Sequence, residues 1–209
     1  YVVPVAGVWT LNANGNWTTT TNWSGGFVPN STGSSASFAT LNIAGDRTVT
    51  LDTAVTTGAM TFGDTTPTNN WILAAGAGGS LTMATYLDTP TITVDNQTVS
   101  VNLPIAGTGG LVKAGPGTLT LGAANTFTGA LTVHGGRVNL QSGDYSSTLA
   151  TGKVVTINNT GMVSIMNTNV ANNSIAWVVN QGGTLNFNAY HAHCYGLTLN
   201  GGSVTGTGS

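Results

Sequence analysis

The chain has 209 residues but only ten charged side chains, four basic and six Asp, with no Glu and a formal charge of −2. Four scattered cations cannot neutralise a run of phosphates or build a polybasic lipid contact, which excludes nucleic acid as a partner. Apolar runs such as Trp177–Val179 are far too short for a membrane span. Good helix formers are scarce, while Thr, Asn, Ser and 30 Gly abound and 40% of residues are hydrophobic. That mixture favours strands and turns around a buried core, so the fold class is all-β.

In chain order, Tyr1, Val2, Val3, Pro4, Val5, Ala6, Gly7 and Val8 form an apolar, strand-prone segment. Pro4 lacks an amide donor and belongs at a free edge. The opening at Tyr1 instead of Met reads as a processed mature form or as a fragment of a longer chain. Trp9, Trp17, Trp23, Phe27 and Phe38 then crowd into the first 45 residues. They read either as a platform for stacking sugar rings or as a cap over the first coil of a longer array. A solenoid needs terminal caps, so the cap is the reading adopted. This divides the chain into an N-terminal strand with an aromatic cap, 1–45, and a β-solenoid, 46–209.

The solenoid reading comes from a repeat. Apolar–polar–apolar triplets recur at Met60-Thr61-Phe62, Leu81-Thr82-Met83, Val99-Ser100-Val101, Leu119-Thr120-Leu121, Val138-Asn139-Leu140, Val163-Ser164-Ile165, Leu185-Asn186-Phe187 and Val204-Thr205-Gly206. Their first members are 21, 18, 20, 19, 25, 22 and 19 residues apart. A second apolar series runs ahead of them at Leu51, Leu73, Val94, Leu111, Val133, Ile157, Val179 and Leu199. Two series sharing a period near twenty residues signal stacked coils. Alternation places the outer members of each triplet inside and the middle one outside, where stacked Thr and Asn can hydrogen-bond along a column. About eight coils are expected between residues 46 and 206.

The stretch GTGGLVKAGPGTLTLGAANTFTGALTVHGGRVNL, residues 107–140, resembles the autotransporter-associated β-strand repeat of secreted bacterial proteins. Gly115, Gly117, Thr118, Leu119, Leu121, Asn125, Thr126, Thr128 and Gly129 carry the likeness, and Phe127 stands where Tyr is usual. Residues 9–29 also resemble the opening of long secreted proteins bearing this repeat. The resemblance implies a right-handed parallel β-helix, export, and a surface or extracellular stalk role without one fixed activity.

Candidate chemistry is sparse. His191, His193 and Cys194 offer metal-ligand types, but on a strand the two His share one face while Cys194 takes the other, so they read as a polar loop. Glycoside hydrolysis needs two opposed carboxylates. Asp88 with Asp95, and Asp46 with Asp52, flank strands where solvated Asp is ordinary. Asn139, Ser164 and Asn186 interrupt the outer Thr column, which argues against an ice-binding array. No enzyme activity, cofactor or metal is expected.

The function expected from sequence is an extracellular structural protein, at the surface of or outside a bacterium, that associates with itself head to tail. Gly206 leaves an inward position empty in the last coil, and the N-terminal segment can add there as a strand of a second copy. That assigns Tyr1, Val2, Val3, Pro4, Val5, Val8, Val204 and Gly206 to an assembly interface. Two alternatives stay open: a stalk or adhesin fragment that binds surface glycans, and a β-helical polysaccharide-degrading enzyme.

Overall fold

The computed structural model describes residues 3–142, 149, 153–167, 175–190 and 194–207. Alternating segments of two to five residues, punctuated by Gly, Asn and Pro turns, form strands whose inward members are mostly buried and outward members mostly half-buried, while the last strands, Gly196–Asn200 and Ser203–Thr205, are largely exposed. Among the described residues these strands stack, all in parallel, into two sheets of nine and one of three. The first sheet holds Ala6–Val8, Ser35–Phe38, Ala59–Phe62, Thr91–Val94, Leu111–Ala114, Leu131–Val133, Val154–Ile157, Ala176–Asn180 and Gly196–Asn200. The second holds Gly15–Asn16, Arg47–Leu51, Trp71–Ala75, Thr98–Val101, Thr118–Leu121, Arg137–Leu140, Met162–Ile165, Thr184–Asn186 and Ser203–Thr205. The third has only Ala54–Thr57, Ser80–Met83 and Ile105–Ala106. This is a parallel β-solenoid, three-sided between residues 47 and 106, with the described strands beyond that forming two sides. Between residues 46 and 206 the second sheet has eight described strands and the first seven, so the coil count differs slightly from the eight expected. Among the described residues helix is confined to two short 3-10 turns, Thr20–Asn22 and Ser24–Gly26, and none is long and apolar enough to cross a membrane.

The inward columns make the core. In the second sheet, Trp71, Val99, Leu119, Val138, Val163, Leu185 and Val204 stand in one column. In the first, Ala36, Met60, Ile92, Lys113, Val133, Ile157, Val179 and Leu199 stand in another. Each fully buried Leu or Val contributes about 1.5–3 kcal/mol.

The register expected for the triplets therefore holds from Val99 onward and needs correction before it. Met60 lies in the first sheet beside Ile92, and Leu81 lies in the third between Val55 and Ile105. Trp71-Ile72-Leu73 fills the rung next to Val99 instead. Within the second series, Val133, Ile157, Val179 and Leu199 share a column, whereas Leu51 and Leu73 belong to the second sheet. Val94 pairs with Phe62 and Leu111 with Leu131, both off that column. Alternation reports only inside or outside, so it cannot tell three sides of a coil apart.

Outside, among the described residues, the expected Thr and Asn column shows a hydrogen bond from Asn139 Nδ2 to Thr120 Oγ1 at 3.3 Å. A continuous amide ladder forms on the first sheet instead: Asn200 Nδ2 donates to Asn180 Oδ1 at 2.9 Å, and Asn180 Nδ2 to Asn158 Oδ1 at 2.6 Å.

Trp9, Trp17 and Trp23 are buried against Phe38, with ring centroids 4.9–5.9 Å apart. Each indole N–H finds a carbonyl: Trp9 donates to Leu11, Trp17 to Pro29 and Trp23 to Trp17. The rings thus fill the core at one end of the stack, and none of the three faces solvent as a sugar platform requires. Only Phe27 of the five aromatics is exposed, at 60%.

Candidate functional site

A set of specific contacts lies in residues 105–140, where the described third sheet ends. Ile105–Ala106 is an edge strand of the third sheet, and an edge leaves amides and carbonyls without partners. The segment 125–128 covers it. Asn125 Oδ1 accepts the Ile105 amide, Thr126 and Phe127 amides donate to Ile105 O, and the Thr128 amide donates to Gly107 O. Asn125 is held in turn by its Nδ2 donating to Ala123 O at 2.9 Å. Phe127 enters the core, fully buried, with Lys153 Nζ 4.8 Å from its ring centroid. Burial pushes the Lys153 pKa down. Gly129 then passes Gly110 so closely that a Cβ would sit 2.3 Å from Gly110 N.

Lys113 occupies an inward position of Leu111–Ala114, between Ile92 and Val133. Its Nζ donates to Ala114 O and Gly115 O at 2.7 Å and to Gly135 O at 3.1 Å. Gly115, at φ +78°, turns its carbonyl toward the ammonium, and a Cβ there would lie 2.4 Å from Val94 O. Burial lowers the Lys113 pKa to about 8, and the Asp95 carboxylate opposes the shift.

Two more carboxylates are structural. Asp64 is buried and accepts the amides of Ile43, Thr66, Thr68 and Asn69, while Asn96 bonds its backbone N–H and C=O. Asp52 accepts the Thr18 amide and hydroxyl. Desolvation is the largest single influence and raises its pKa, but the hydrogen bonds from Thr18 and from its own backbone together outweigh it and hold the carboxyl below the usual range. Asp46 binds the Asn70 amide at 2.7 Å, and Asp88 and Asp95 are exposed. Sequence reading missed the roles of Asp64, Asn125 and Lys113; Asp64 with Thr66 and Thr68 is an Asx-turn pattern that signals the first.

The expected assembly residues lie at both ends of the sheets. Tyr1 and Val2 fall outside the described residues, as do His191 and His193. Val3 is 68% exposed, Pro4 and Val5 are half-buried, and Val5 O accepts the Ser35 amide. Val8 pairs with Ser37 in the terminal strand of the first sheet. At the opposite end, Val204, Leu197 and Leu199 are exposed, and Gly206 lies against Phe187 and Asn188. One chain does not bring the two sets together. Cys194 is an exposed free thiol, and among the described residues no three of His, Cys, Asp and Glu gather as metal ligands do.

Residues 111–140 match the passenger-associated transport repeat. Over 115 residues the chain is 44% identical to a protein of Brucella suis biovar 1 (strain 1330) named adhesin BmaC autotransporter. The match covers 54% of this chain and 3% of that relative, so the chain spans a small part of the relative's length. No solved structure matches. The repeat thus coincides with the edge clamp, the Phe127 plug and the Lys113 cage, and the chain carries the repeat of autotransporter passengers.

Proposed function

We propose that the chain is a rigid spacer and adhesive segment of a bacterial surface adhesin, exported and displayed outside the cell. The carrying observation is the two parallel sheets that run the full stack around one continuous core, with the passenger repeat at its middle. A rod of parallel coils resists bending because every rung hydrogen-bonds its neighbours, which suits a segment that holds a binding surface away from a membrane. In this reading residues 1–45 act as its cap, and the role is binding and spacing instead of catalysis. Surface glycans are the proposed partners.

Beads coated with the protein should attach to host-cell layers, and soluble glycans should compete. The reading fails if coated beads bind no better than bare ones and an in-frame deletion of residues 46–209 leaves bacterial attachment unchanged.

As a second reading we propose head-to-tail self-association, with residues 3–8 of one copy against Val204 and Gly206 of another. It requires concentration-dependent assembly in sedimentation and its loss when residues 1–7 are removed. A full-length protein that stays monomeric at high concentration would eliminate it.

A further inference from the structure

Lys113 is, among the described residues, the one charged side chain buried within a strand. A hydrophobic residue would fill that column as Ile92 and Val133 do on either side. We propose that Lys113 is a register pin: its ammonium, clasped by carbonyls of two successive coils, fixes how one rung lies along the next.

The argument rests on what the surrounding pattern leaves undetermined. Leu111-Val112-Lys113 and Leu131-Thr132-Val133 have the same inside–outside alternation, and a slip of two residues keeps every inward residue inside. The corners do not resist the slip by length, since residues 115–117 and 134–136 are both three-residue turns between strands. Apolar packing therefore distinguishes the registers only weakly. The ammonium distinguishes them strongly. Two of its acceptors, Ala114 O and Gly115 O, lie on its own coil, and the third, Gly135 O, lies on the next. Sliding the coils by two residues carries Gly135 O roughly 6.6 Å away and leaves a buried cation short of an acceptor. A buried charged group can cost stability and still select one arrangement.

The test is disulfide trapping in the full chain with Cys194→Ser. Val112→Cys with Thr132→Cys reports the native register, because those positions are paired neighbours. Val112→Cys with His134→Cys reports the two-residue slip, since in the native register these Cα atoms are roughly 8 Å apart, beyond the reach of a disulfide. With Lys113 present, the first pair should close and the second stay reduced. With Lys113→Met, closure of the second pair should rise at least tenfold. If the Met variant closes only the native pair, the proposal is overturned. Should the Met variant not fold, Lys113→Ala with added propylammonium replaces it: recovery of the native disulfide with propylammonium and not with propanol supports the pin. Equal recovery with both, or with neither, overturns it.

Discussion

Asn125 reaches back twenty residues to accept the Ile105 amide at 2.9 Å, which makes a side chain do what a further strand would otherwise do for the edge of the third sheet. Both groups are buried, so Asn125→Ala strands the Ile105 N–H without solvent. The expected loss is about 1–3 kcal/mol of stability, measured by urea unfolding. Hydrogen exchange at Ile105 and Ala106 should accelerate before the rest of the core responds. Unchanged protection there would dismiss the clamp.

Phe127 fills the space that the missing third-sheet strand leaves, and Phe127→Ala should cost about 3–5 kcal/mol. Phe127→Leu should recover most of that loss, because shape and burial dominate over the Lys153 contact. Thermal unfolding of the two variants decides it, and equal melting temperatures for Ala and Leu would contradict the plug.

Lys113 gives a pH dependence with a definite sign. Its folded pKa of about 8 lies below the ordinary 10.5 because burial disfavours the charge, despite the facing Asp95 carboxylate. Between those values the unfolded chain binds more protons than the folded one, so stability rises as pH climbs from about 8 to 10.5. Below pH 8 the full desolvation penalty is present. Melting temperatures across that window should climb in the parent and climb less in Lys113→Met; parallel profiles would refute this assignment.

Asp64→Ala removes the acceptor shared by four backbone amides in a buried turn. A loss of about 2–3 kcal/mol is expected, with the turn 63–70 exposed to protease first. A variant that unfolds and is cleaved like the parent would show that the turn closes without the carboxylate.

Leu119→Asp tests the core columns directly. Leu119 stands fully buried between Val99 and Val138, and a carboxylate there has no partner in either neighbour. The middle coils should lose cooperative unfolding and strand circular dichroism at neutral pH. A folded variant of parent stability would place the residue on the wrong face.

From Val99 to Val204 the sequence alone determined the column of the triplet series, whereas in the preceding apolar series it did so only for Val133, Ile157, Val179 and Leu199, with Leu111 off that column. Inward burial of Met60, Leu81, Leu51 and Leu73 was equally legible, since alternation depends only on the local backbone. Which sheet those four join was decided by the tertiary structure. A three-sided coil contains three short alternating segments of the same chemistry, and only closure of the coil assigns them. Asn125 and Phe127 were visible as a motif, but their task became visible only when the chain brought the free edge of Ile105 beside them. Lys113 is the sharpest case. Spacing puts it inside, where composition says a cation should not be. The three carbonyls that hold it come from corners on two coils, and stacking alone brings those corners to one point.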